Sequence, residues 1–191
     1  MIEAAIVTPA FFALLFGILE FGLLFRSVLA TNNGAAEAAR AAAVSGARPE
    51  ADYFILRSVQ HGIGALSLDQ LEYVVVFRAD GPESTMPPAC ANGSIAAPAG
   101  DPTAPACNRY VRADFYKELD DPVSGEDTGN FRCGPTSIDR YWCPTDRDNT
   151  LAGGTDYVGV TVKTRHDFIT GILPGGKDLG QTMITRLEPV E

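Results

Sequence analysis

Apolar positions run almost without interruption from Ala4 to Phe25, with Glu20 the one charged residue among them, and only beyond Phe25 do polar positions return. At 1.5 Å rise per residue, a helix of about 22 residues reaches roughly 33 Å, close to the hydrocarbon thickness of a bilayer. Apolar residues surround this helix on all sides, whereas the helix of a soluble protein normally carries a single stripe. A cleaved secretory signal also fits poorly. No basic region precedes the run, the run is too long, and no small-x-small site leads into a polar start. The pattern predicts a membrane-spanning segment.

Apolar character fades after Phe25 and Arg26, but TNNGAAEAARAAAVSGA is alanine-rich, so helix should resume soon after Asn32, Asn33 and Gly34. Pro49 disfavours helical geometry at Arg48 and should end or kink this first helix. A second helix is expected from Pro49, with Glu50 and Asp52 in its first turn against the positive end of the helix dipole. Leu56, Val59, Ile63 and Leu66 then recur at helical spacing and form its apolar face, and Gly62 and Gly64 weaken its end. LEYVVVFRAD (71–80) and DYVGVTVKT (156–164) are rich in β-branched residues and read as strands, and QTMITRLEP (181–189) as a last one. Between the first two lies a Cys-, Pro- and Gly-rich stretch, 81–155, in which RYVRADF (109–115) adds a short strand. A loop of that length needs tethering or a function. DFITGIL (167–173) and a turn at PGG (174–176) join the last two strands. No internal repeat is present. The expected fold is α+β: a transmembrane helix and stalk over 1–48, then an α+β domain over 49–191 built from a second helix and a small antiparallel sheet.

The chain has 191 residues, enough beyond the first helix for one modest domain. Its net charge of -9 argues against nucleic acid and against an anionic membrane surface as partners, since both call for clustered Lys and Arg. Cys90, Cys107, Cys133 and Cys143 all fall in the loop-rich stretch. Their spacings are long and the two histidines, His61 and His166, are distant, so two disulfides are expected and no metal site. Of the three possible connectivities, Cys90 with Cys107 and Cys133 with Cys143 is favoured, because each pair closes a short loop lacking its own core. Each closure is worth roughly 3 kcal/mol in the chain-entropy picture. Disulfides place the domain in an oxidising compartment outside the cytoplasm.

Several motif fragments lead nowhere. Gly171, Gly176 and Lys177 have P-loop spacing, but Asp178 stands where Ser or Thr would bind magnesium. Asp146, Asp148 and Thr150 resemble the start of a calcium loop that lacks its glycine and terminal glutamate. Asn92-Gly93-Ser94 is a glycosylation sequon in form and a turn in composition. His61 and His166 are expected as surface polar residues. No catalytic or nucleotide fingerprint occurs, so no enzyme and no cofactor is expected.

Chemistry concentrates instead in the apolar run. Glu20 shares a helical face with Ala13, Gly17 and Leu24, and Ala5, Pro9, Ala13 and Gly17 form a ridge of small side chains that another helix can approach closely. A carboxyl in hydrocarbon is costly and faces protein or water; Glu20 alternatively lies near enough to the interface to stay wet. The order I-E-A-A-I-V-T-P, an apolar run and then G-I-L-E-F-G resembles the N-terminal helix of the TadE-like family, minor pilins or pseudopilins of tight-adherence pili. The family pattern is V-E-F-A-L-V-x-P followed by G-x-x-E-F-G, so Ile2, Glu3 and Pro9 match while Ala4 replaces the usual aromatic. The likeness covers residues 2 to about 45, with a fainter one over roughly the final 35, where ITRLEP resembles the family's closing strand, and none in the cysteine-rich middle.

That resemblance implies assembly through helix packing, with Glu3, Pro9, Ala13, Gly17, Glu20 and Gly22 as contact residues. It implies other pilin or pseudopilin subunits, an assembly platform and motor, and membrane lipid as partners, with a prepilin peptidase if a leader exists. Glu3 takes the part of the assembly glutamate, compensating a positive group such as a neighbouring N-terminal amine when both are shielded from water. No basic leader ending in glycine precedes Met1, so the start lies further upstream or processing does not apply. Arg26 alone favours the opposite topology under the positive-inside rule, but the disulfides favour a cytoplasmic N-terminus with the domain outside. A second function, a membrane-anchored module that binds a ligand through 81–155, stays open.

Overall fold

The computed structural model describes residues 2–93, 106–119, 129–151, 154–170 and 175–189, with side chains from residue 7 onward. Helix α1 spans Ile2–Ser45 and α2 spans Ala51–Gly62. Strands β1 (Leu71–Ala79), β2 (Cys107–Tyr110), β5 (Tyr157–Asp167) and β6 (Gly176–Arg186) form one antiparallel sheet in the order β2-β1-β5-β6. β3 (Asn149–Thr150) and β4 (Gly154–Thr155) make a separate short hairpin, and α3 (Pro88–Asn92) is a single turn. This is the α+β architecture expected, with both disulfides paired as favoured, Cys90 to Cys107 and Cys133 to Cys143.

The element boundaries show where tertiary packing overrides local signals. α1 continues through Asn32, Asn33 and Gly34 without a break. Gly34 is needed there as the crossing point with α2: a Cβ on Gly62 would sit 2.7 Å from the Gly34 Cα, and one on Gly34 would sit 2.5 Å from the Ile63 side chain. α1 stops at Ser45 because Gly46 adopts φ +56°, with its N–H returning to Ala42 O at 3.2 Å, a left-handed helix end that glycine accepts without strain. α2 begins at Ala51, two residues later than Pro49 suggested. The expected strand 109–115 is cut short: Asp114 accepts the Val111 N–H at 2.8 Å and folds Arg112–Tyr116 into a 3-10 turn. β6 starts five residues before its expected beginning, at Gly176, and β5 runs on to Asp167.

Alternation along the strands gives the sheet two apolar faces. Val74, Val76, Val158, Val160 and Val162 pack on Ala35, Ala38 and Ala42 of α1 and on Ile55, Val59 and Ile63 of α2. Thus the second half of α1 belongs to the same core as the residues beyond Pro49. On the opposite face Val75, Phe77 and Ala79 meet the buried Cys90–Cys107 bridge, with Tyr141 and Tyr157 packed around it. The Phe77 ring lies over Gly159, its strand partner, where a Cβ would come within 2.2 Å of ring carbon. Gly159→Ala is therefore expected to destabilise by about 1–3 kcal/mol, as overpacking of a filled site does. A thermal melt of the solubilised protein checks this, and an unchanged midpoint would refute it.

Asp52 lies in the first turn of α2, as expected, and is completely buried. Its Oδ1 accepts from Arg147 Nη2 at 2.5 Å, and its Oδ2 accepts from Asn108 Nδ2 at 2.8 Å and from the Tyr110 hydroxyl. Asn108 in turn donates to Trp142 O at 2.8 Å and accepts the Trp142 N–H at 3.0 Å, while the Arg147 guanidinium stacks 4.3 Å over the Trp142 ring. One carboxylate thereby joins α2, β2 and the segment after the second disulfide. Burial, reinforced by the Asp52 charge, pushes the Tyr110 phenol well above its usual range. Nearby, Arg132 and Cys133 take φ of 73° and 60°, a costly conformation held by the Asp139 carboxylate, which accepts both N–H groups at 2.9 and 3.0 Å. Burial first, and then the charge of Asp52, raises the Asp139 carboxyl to about 6.

Candidate assembly helix and its junction with the head

Between Val7 and Leu19, α1 projects from the head with its side chains largely uncovered. Val7, Leu14, Ile18 and Phe25 are each more than 60% exposed, which water would not tolerate along a continuous helix face. By length and composition α1 can cross a membrane. Pro9 lies inside the helix and is exposed. Glu3 falls within α1, and its side chain lies outside the described residues.

The small residues of this segment shape its surface. Ala13, Gly17 and Gly22, with Leu14, Ile18, Phe21 and Phe25, line a shallow apolar groove of about 490 Å³. A Cβ on Gly17 or Gly22 would meet nothing within 4 Å, so none of the described residues requires those glycines. Their absence of side chains lowers the helix surface and lets a second helix backbone come near, which is how van der Waals packing joins helices in lipid.

Glu20 points elsewhere. It is only 1% exposed, and its Oε1 accepts the N–H of Thr170 at 2.6 Å, from the segment that follows β5. Further along the same side of α1, Ser27 Oγ lies 2.9 Å from His166 Nδ1 and Thr31 Oγ1 lies 2.7 Å from Thr164 Oγ1. Glu20, Ser27 and Thr31 are spaced by seven and four, which stacks them on one helical side, and Thr164 and His166 alternate on one face of β5. The three contacts form a polar seam that sets the rod against the head. His166, expected at the surface, is 4% exposed within this seam, whereas His61 is exposed. The seam carries a sequence signal only in retrospect, since Ser27, Thr31 and Thr164 each resemble ordinary polar positions.

The motif fragments resolve into local structure. Asp148 Oδ1 accepts the Thr150 N–H at 2.9 Å and its hydroxyl at 2.8 Å, which lowers the Asp148 carboxyl and closes a turn. Gly176 and Lys177 open a strand, where a P-loop would open a helix, and Gly171 lies outside the described residues. Ser94 of the sequon lies outside them too. Among the described residues no group of three or more His, Cys, Asp or Glu converges as a metal site would.

Comparison with known families adds one finding. Residues 1–40 match the family described as TadE-like protein, the one the I-E-A-A-I-V-T-P and G-I-L-E-F-G motifs resemble. The match takes in Glu3, Pro9 and Glu20 and runs past the apolar segment into the half of α1 that packs on the sheet. It is a family of pilus structural components. No curated protein and no solved structure matches the chain.

Proposed function

We propose that this chain, TadE-like over residues 1–40, is a minor pilin- or pseudopilin-like subunit of a tight-adherence pilus that works by helix packing and performs no catalysis. The observation that carries this reading is the bare apolar half of α1, grooved at Ala13, Gly17 and Gly22 and joined without interruption to a folded head. In the membrane the segment anchors the subunit, with residues 1–48 as rod and stalk and the head outside the cytoplasm, where its two disulfides are stable. In an assembly the same segment meets the helices of other pilin subunits, under the action of a platform and a motor.

Glu3 has a distinct part in this reading. A carboxylate near the start of an apolar helix is costly alone and favourable beside a positive group shielded from water. Glu3→Ala is expected to reduce incorporation into pili by about tenfold or more, the scale of one lost shielded charge contact, while membrane insertion and protein level stay unchanged. Immunoblotting of sheared pili against the membrane fraction measures both. Unchanged incorporation would refute the role.

A further inference from the structure

We infer that a cleft at the foot of the head binds the phosphate of a membrane phospholipid. The inference rests on the membrane reading above. The cleft encloses about 180 Å³ between α1, the end of α2 and the end of β5, far more than the ~10–15 Å³ a single water occupies. Leu23 and Ile169 form its apolar rim, and Arg26, Ser27, Gln70 and His166 supply polar groups. Ile169 is 73% exposed on the side of the rod, and Arg26 immediately follows Phe25, the last residue of the apolar run. A helix that fills the hydrocarbon up to Phe25 places this cleft among the lipid headgroups.

The donors suit a phosphodiester. Arg26 Nη2 donates to Ala65 O at 2.8 Å, which holds the guanidinium against the end of α2 while its remaining N–H groups have no partner among the described residues. Gln70 accepts the Ser67 N–H through Oε1 at 3.3 Å, leaving its amide N–H groups as donors. His166 closes the inner wall of the cleft: it is 4% exposed, and its Nε2 has no hydrogen-bond partner among the described residues. Ser27 uses its single proton on Leu23 O at 3.1 Å, so His166 Nδ1–H donates to Ser27 Oγ and the ring is held in place against α1. The carboxylate beside the cleft, Asp167, is already held by Arg165 Nε at 3.1 Å, which offsets its repulsion of an anion. A phosphate accepting from Arg26 and from the Gln70 amide gives those free N–H groups a charge-assisted partner.

The test uses full-length protein purified in mild detergent with phosphatidylglycerol and weighed by native mass spectrometry. Wild type is expected to retain phospholipid, and Arg26→Gln to lose it about tenfold, the effect of one charge-assisted contact. Arg26→Lys, which keeps the charge, should retain an intermediate amount, and because Arg26 is exposed neither change should prevent folding. Equal retention by wild type and Arg26→Gln would overturn the site. Displacement of the lipid by millimolar inorganic phosphate would overturn the lipid as its source. Alkaline carbonate extraction separates the two levels of failure: if wild type leaves the membrane pellet, the membrane reading itself is wrong.

Discussion

Asp52→Ala should destabilise the head by about 3–5 kcal/mol, because it strands a fully buried guanidinium. Arg147 already has two nitrogens, Nε and Nη1, without hydrogen-bond partners among the described residues, and its ion pair with Asp52 has both side chains at 0% exposure. Removing the carboxylate also leaves the Tyr110 hydroxyl and Asn108 Nδ2 with one acceptor fewer. For a protein of this size the loss corresponds to a midpoint roughly 10 °C lower, at about 2–4 °C per kcal/mol. Asp52→Leu combined with Arg147→Met should recover part of it, since replacing both charges by apolar groups avoids the unpaired ion. Calorimetry of the three proteins decides; a single mutant melting with wild type would show that the pair contributes nothing.

Replacing residues 2–19 by an unrelated apolar helix of equal length should leave the protein membrane-bound and folded but drop it from pili altogether. The exchange stops short of Glu20 so that the contact with Thr170, and with it the seam between rod and head, stays intact. What it removes is Glu3 and the ridge through Ala13 and Gly17, while hydrophobic length is preserved. Length alone anchors a helix; close helix packing requires small residues at defined positions. A passive anchor carrying a ligand-binding module predicts the reverse outcome, full activity with the foreign helix. Pilus fractionation alongside a membrane-insertion control separates the two.

Local periodicity carried most of the fold. The Val158, Val160, Val162 alternation and the VVV core of β1 are signals that a strand emits by itself, and the short loops between paired cysteines pointed to the connectivity observed. The polar core was hidden for a physical reason. Asp52 and Arg147 are 95 residues apart and Ser27 and His166 are 139 apart, so nothing near either residue announces its partner. Asp52 in particular obeys a valid local rule, a carboxylate in the first turn of a helix, and tertiary burial then gives it a different task. Gly34 misled in the same manner: read alone it breaks helices, yet against Gly62 it is what lets two helices touch. In the rod, small residues and glutamates stood out because an apolar background makes them conspicuous. Which of them face inward was not legible, and Glu20 turns to its own head while Ala13, Gly17 and Gly22 line the open groove.

Photo-cross-linking in living cells from an unnatural residue at Gly17 tests the central claim most directly. Gly17 faces open space, so the probe fits without disturbing the fold. Adducts between this chain and a pilin or pseudopilin subunit, absent from cells lacking the pilus motor or platform, are the predicted result. Adducts to lipid alone, in cells that make pili normally, would contradict it.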